Sequence, residues 1–188
     1  MANAQSGKRN YHHGDLRAAL IEAGLRLLAE READTLGLRE VARAVGVSPT
    51  AVYRHFPDKG ALLSAMAQDG LARLGAAQAE AGKTGFNAVG RAYITFALEN
   101  PALFRLVFAN SPDHSPLDWN SDDPDTMPLL RMPAVREIAE KHGEAEARLF
   151  ALRAWALVHG LAVLLLDRQV KADDATIDAF FEARGPLD

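Results

Sequence analysis

The sequence predicts an all-α fold of about nine helices, and three observations carry that prediction. Apolar residues recur at helical spacing in one segment after another. No stretch alternates apolar and polar residues as a half-buried strand would, and no internal repeat is visible. The segments are separated by Gly, Pro, Asp and Ser, the residues that stop and cap helices.

Each element can be justified in order. Residues 1–10 (MANAQSGKRN) are polar and aperiodic and read as a disordered arm. A first helix is expected from Asp15 to Arg31, with Leu16, Leu20, Ala23, Leu27 and Leu28 as its buried stripe. Leu38, Val41, Ala42 and Val45 mark one face of a second helix, which Gly46 ends by taking φ > 0. Ser48 then caps a short third helix, and Pro49 suits its first turn, where a missing N–H costs nothing. Val52 and Phe56 fall on its core side. Pro57-Asp58 breaks the chain again, and Asp58 can cap a fourth helix running to Glu80. Gly60, Gly70 and Gly75 each cost that helix roughly 1 kcal/mol relative to Ala, so it reads as a softened rod.

Gly82 to Gly85 forms a turn. A fifth helix covers Phe86 to Glu99, and a sixth follows Pro101 through Phe104 and Phe108. Residues 110–128 are acidic and Pro-punctuated and read as a long loop. A seventh helix is expected from Pro133 to Lys141 with Gly143 as its stop, an eighth from Glu144 to Arg168, and a ninth from Asp173 to Glu182. The centre of the eighth is apolar nearly all round, whereas a surface helix shows one apolar stripe. One face can pack into its own domain; the other needs a partner, and a second copy of the chain is the simplest one.

Composition narrows the functional classes. With 188 residues, 48% of them hydrophobic and 24% charged, the chain suits one folded domain or two small ones. Absence of cysteine excludes disulfides and thiolate metal sites. No signal peptide pattern is seen, and the 13-residue apolar run Ala154–Leu166 is short of the roughly 20 residues a membrane span needs. A cytoplasmic protein without membrane association is the expectation. The net charge of −4 is unevenly spread: residues 1–75 hold ten Lys and Arg against eight Asp and Glu, and the remainder eleven against seventeen. The basic excess lies in the half with the second and third helices. No nucleotide-binding Gly-rich loop and no H-E-x-x-H motif occurs, so neither an enzyme nor a cofactor is expected.

A helix, a sharp turn and a short second helix form a unit that presents the second helix to the DNA major groove. The stretch Leu38–Leu63, LREVARAVGVSPTAVYRHFPDKGALL, goes further and resembles the DNA-binding domain of the TetR family of bacterial transcriptional repressors. The opening Tyr11-His12-His13-Gly14-Asp15-Leu16, the segment Asn100-Pro101-Ala102-Leu103-Phe104 and Trp155 with His159-Gly160 resemble the branch whose C-terminal domain bears a Trp-His-Gly signature. The resemblance implies a helix-turn-helix domain over 11–57 and a ligand-binding and dimerisation domain over 58–188, joined by the connector helix 58–80. It implies a homodimer through helices 144–168 and 173–182, a double-stranded DNA operator and a small-molecule effector that releases it. The chain departs from the pattern at Gly37, where Ser or Thr is usual, and at Gly60, where Glu is usual.

Thr50 and Ala51 can meet base edges from the third helix. The resemblance places Tyr53 and His55 at phosphate-contacting positions, although both also suit helix packing. Lys59 can share a phosphate with the backbone N–H groups opening the fourth helix. Arg39 and Ser48 are expected backbone contacts, with Pro49 completing the set, and Lys8, Arg9, Tyr11 and His12 could form an arm along the adjacent groove. His12-His13 is too small a set for a metal site, and His13 or Asp15 capping the first helix is the plainer reading. Trp155 and His159 lie at i, i+4 on one helix face. They read either as a pocket wall with His159 fixing a polar ligand group, or as a core histidine beside a packed indole. Phe86, Phe96, Phe104 and Phe108 read first as core, any of them also able to line a pocket, and Phe104 and Phe108 join Trp155 and His159 as the candidate ligand residues. The expected function is a ligand-responsive regulator, most simply a repressor on a near-palindromic operator. The alternative is a helical small-molecule-sequestering protein with weakened DNA binding, which the glycines of the fourth helix would favour.

Overall fold

The computed structural model describes residues 13–30, 33–108 and 132–182, and among them it contains nine α-helices and no strand. The expected arm, the 110–128 loop, and Lys8, Arg9, Tyr11 and His12 lie outside the described residues. The chain divides into two compact units, Met1–Met66 and Ala67–Asp188.

The first unit holds α1 (His13–Ala29), a 3-10 turn (Ala33–Thr35), α2 (Leu38–Val45), α3 (Pro49–Tyr53) and the opening turns of α4 (Lys59–Gly82). Its core is built from Leu20, Leu28, Val41, Val52, Phe56, Leu62 and Met66, all essentially without solvent contact. The unit extends past residue 57, because Leu62 and Met66 of α4 belong to that core; Met66 packs so closely on Gly24 of α1 that a Cβ there would lie 2.7 Å from its sulfur. Arg17 of α1 lies over the Phe56 ring, 5.3 Å from its centroid.

The α2–α3 corner is made by backbone bonds. Gly46 takes φ 78°, ψ 30°, Val47 N–H donates to Ala42 O at 2.9 Å and Gly46 N–H to Arg43 O at 3.1 Å. This paired closure satisfies the carbonyls that a helix end leaves open and turns the chain sharply. Ser48 Oγ then accepts from Ala51 N–H at 3.3 Å as the α3 cap. Gly37 precedes α2 in extended geometry and contributes no side-chain cap. At α4, Asp58 Oδ1 accepts from Ala61 N–H at 2.8 Å, so the start of that helix is capped despite Gly60.

The second unit contains the remainder of α4 with α5 (Phe86–Glu99), α6 (Pro101–Val107), α7 (Pro133–His142), α8 (Glu144–Leu166) and α9 (Asp174–Glu182). Ile94, Ala97, Phe104, Ala162 and Leu165 are buried within it, and one core cluster groups Val135, Ala147 and Ala151 with Phe86 and Phe150. Gly70 is not a softening residue: a Cβ there would sit 2.7 Å from Leu103 Cδ1 and 2.9 Å from Val107 Cγ2. It is the place where α6 reaches the backbone of α4, whereas Gly75 faces open space. Gly90 plays the same part between α5 and α9, with Phe181 Cε1 2.5 Å from where a Cβ would stand. Asn87 Nδ2 donates to Phe181 O at 3.1 Å, Arg91 pairs with Asp178, and the Arg91 guanidinium lies 5.0 Å from the Phe181 ring centroid.

The helix that forms around the apolar run Ala154–Leu166 has 23 residues, enough by length and composition alone to cross a membrane. Here it packs against α5 and α7 through Ala147, Ala151, Leu161, Ala162 and Leu165. Its far face leaves Leu149, Leu157 and Leu164 38%, 39% and 43% exposed.

Candidate functional site

Two surfaces gather the residues that carry chemistry, one in each unit. In the first, the α3 helix is held from below by Val52 and Phe56, which are fully buried as their spacing predicts. That leaves Ser48, Pro49 and Thr50 exposed at its start, Ala51 half-buried and Tyr53 49% exposed. Arg39 is exposed on the first turn of α2, and His55 is half-buried just after α3. A phenol ring that stands out of a five-residue helix has little packing role to explain it. Two further exposed cations, Arg43 at the end of α2 and Arg54 at the end of α3, flank the turn. Nothing in their spacing distinguishes them from solvated surface arginines, and only the fold sets them beside the reading helix.

Lys59 is placed differently from the simple expectation. Its Nζ donates to Asp34 O at 2.6 Å, tying the start of α4 to the 3-10 turn. An ammonium has three donors, so the tie leaves capacity for a phosphate, but the side chain also has a structural task.

In the second unit the four expected ligand residues do come together, around a fifth that the sequence did not mark. Phe104 and Phe108 of the α6 segment stand 4.8 Å apart by ring centroids. His159 stacks on Phe104 at 5.6 Å and 27°, meets Phe108 at 5.0 Å, and Trp155 lies 5.8 Å from His159. Tyr93 of α5 sits at the centre, edge-on to Phe104 at 5.5 Å. Its hydroxyl is 2.8 Å from His159 Nδ1 and accepts from Trp155 Nε1 at 3.4 Å. Burial pushes the Tyr93 hydroxyl well above the ordinary tyrosine range and pulls His159 below the ordinary imidazole range. Both groups are thereby held neutral near pH 7. Tyr93 is 3% exposed, while Phe108, Trp155 and His159 are only partly covered.

None of these aromatic residues lines the cavity of about 240 Å³ found between α7 and α8, which is bounded by Val135, Arg136, Ala139, Glu140, Glu144 and Ala147. That hollow lacks the apolar wall and convergent polar groups of a small-molecule site, so the aromatic cluster is the better chemical candidate. Among the described residues no three His, Asp or Glu side chains stand close enough to hold a metal ion.

Comparison with known proteins agrees with this architecture. Residues 20–66 match the family model for bacterial regulatory proteins of the tetR family, and residues 86–184 match the tetracyclin repressor-like C-terminal domain. An uncharacterized HTH-type transcriptional regulator of Haemophilus influenzae is 44% identical over 54 residues, which are 28% of this chain and 26% of that protein. The chain thus spans about a quarter of that relative. A protein of unknown function from Rhodococcus sp. RHA1 is 28% identical with a TM-score of 0.68, over 93% of this chain and 97% of that one. A TetR variant from Acinetobacter baumannii AYE, solved in complex with minocycline, shares the fold at 22% identity and TM-score 0.60, over 87% of this chain and 89% of that one.

Proposed function

The chain belongs to the TetR family of bacterial transcriptional regulators, and from that premise we propose that it is a dimeric repressor which a small molecule releases from a near-palindromic operator. Proteins of this family are regulators, not enzymes, with a helix-turn-helix DNA-binding domain and a ligand-binding C-terminal domain.

The observation that carries the DNA-reading half is the exposed face of α3. Thr50 and Tyr53 stand out from a helix whose caps and core side are satisfied elsewhere, so they are available to a groove. Arg39, Ser48, Pro49, Ala51, His55 and Lys59 complete the proposed DNA contact set, with Arg43 and Arg54 as added phosphate partners. The proposed ligand set is Phe104, Phe108, Trp155 and His159, to which Tyr93 is added.

The dimer reading rests on α8. Leu157 and Leu164, with Gly160 open above its Cα, form an apolar stripe on the exposed face of α8, and Leu149 continues it beyond the exposed Arg153. A second copy of α8, flanked by α9, would cover it.

The test is binding of the whole protein to DNA from upstream of its own gene, and to genomic fragments, at near-physiological salt. A sequence-reading regulator prefers a specific duplex by at least ~10³-fold over a scrambled one. Thr50→Ala with Tyr53→Ala is expected to abolish that preference and leave the dimer intact. Lys59→Ala is a poorer probe, because it also cuts the tie to Asp34. Equal affinity for specific and scrambled DNA across the genome would overturn the regulator reading.

A further inference from the structure

The polar groups of the aromatic cluster can be ordered by their donors and acceptors. The Trp155 indole N–H only donates, and its partner is the Tyr93 oxygen. That oxygen has one proton of its own, kept in place by burial, and its other partner is His159 Nδ1. If the oxygen accepted from Nδ1–H as well, the proton of this buried hydroxyl would be left without an acceptor, so the arrangement that uses every group has Tyr93 donating to Nδ1. A neutral imidazole carries a single N–H, so the proton of His159 sits on Nε2. No described side-chain N or O is both buried and without a partner, and among the described residues no partner stands at Nε2, so Nε2 keeps some exposure at the edge of the cluster. The chain Trp155, Tyr93, His159 thus ends in a donor, set beside the partly covered rings of Phe108 and Trp155.

We propose that this donor end receives a neutral planar compound through a carbonyl-type oxygen, which accepts from His159 Nε2–H while the compound's ring lies against Phe108 and Trp155. The proposal rests on the cluster being the regulator's ligand site and names the chemical class it takes. A carbonyl oxygen keeps every bond in the chain as it stands. A carboxylate would favour the imidazolium form, whose Nδ1–H would take the Tyr93 oxygen as acceptor and leave the buried Tyr93 O–H without one. An ammonium would bring only donors to a donor. A hydrocarbon would cover Nε2–H and leave it unpaired, which costs free energy in a desolvated place.

The experiment uses the full-length protein carrying Trp119→Phe, so that Trp155 is the sole indole. Its fluorescence is titrated with acetophenone, ethylbenzene, benzoate and benzylammonium. Acetophenone is expected to bind more tightly than the two ions. Its preference over ethylbenzene should fall about five- to tenfold in His159→Phe, the worth of one neutral hydrogen bond, and survive in His159→Gln, which keeps an N–H donor. Nitrogen-15 NMR of the wild-type imidazole should show the proton on Nε2. A proton on Nδ1, a preference unchanged by His159→Phe, or benzoate as the strongest binder would each overturn the carbonyl assignment while leaving the cluster as a ligand site. No response to any of the four compounds would overturn both. Neither result depends on DNA binding.

Discussion

Tyr93 and His159, 66 residues apart in the chain, are joined by a 2.8 Å hydrogen bond that fixes α5 to α8 at the centre of the C-terminal unit. Trp155 N–H approaches the same oxygen, so one hydroxyl answers two polar groups that would otherwise be covered by phenylalanine rings without a partner.

Removing that hydroxyl while keeping the ring separates the bond from the packing. Tyr93→Phe is expected to destabilise the protein by about 1–2 kcal/mol, because it strands two partly buried polar atoms and leaves no cavity. Urea denaturation measures this. A neutral or stabilising result would mean that water satisfies Trp155 and His159 equally well.

The same pair sets a pH range. Burial lowers the His159 pKa below its unfolded value of 6.5, so the unfolded chain binds this proton more readily than the folded one. Its contribution is complete above pH 6.5 and is lost as pH falls toward the lowered value. Tyr93 acts at the other end: its pKa is raised from 10.0, so its contribution is complete below pH 10 and is lost as pH rises above it. Stability measured against pH in wild type, His159→Gln and Tyr93→Phe should show the acid limb flattened in the first variant and the alkaline limb flattened in the second. Unchanged limbs would show that these two groups are not the ones titrating.

Gly70 and Gly75, five residues apart on α4, should respond oppositely to alanine. At Gly75 the new methyl meets nothing within 4 Å, and the helix gains up to about 1 kcal/mol from the better helix former. At Gly70 the methyl runs into Leu103 and Val107, and overpacking of about 1–3 kcal/mol exceeds that gain. Thermal unfolding of the two single variants gives the signs directly. A stabilised Gly70→Ala would mean that α6 yields without cost.

Leu164→Glu places a charge on the apolar stripe of α8 at a side chain already 43% exposed in the single chain. The fold of one chain should tolerate it. Association should not, since a buried unpaired charge is expensive. Sedimentation is expected to show the dimer dissociation constant raised at least ~100-fold. A dimer of undiminished stability would place the interface elsewhere.

The elements most legible in the sequence are those whose cause is local. Gly46, Ser48 and Pro49 announce the α2–α3 corner within a few residues, and Asp58 announces α4, because caps are made by neighbours in the chain. The aromatic cluster was half legible: Trp155 and His159 share a helix face at i, i+4, but Tyr93 enters from another helix, and no spacing rule links positions so far apart. Gly70 was misleading for the same reason. Helix propensity is a property of a residue, whereas the close approach of Leu103 is a property of the fold. The tie from Lys59 to Asp34 was likewise invisible, since its acceptor is a main-chain carbonyl in a 3-10 turn that no apolar pattern marks.

The α2–α3 corner divides labour in a way that matters for engineering. It is held by one left-handed glycine, two main-chain bonds, the Ser48 cap and the buried Val52 and Phe56, while the side chains of Thr50, Tyr53 and Arg54 are exposed. The exposed positions of α3 are therefore interchangeable parts on a fixed mount. A library randomised at Thr50, Tyr53 and Arg54 should stay folded across most of its members, so new operator preferences can be selected without first being rescued for stability.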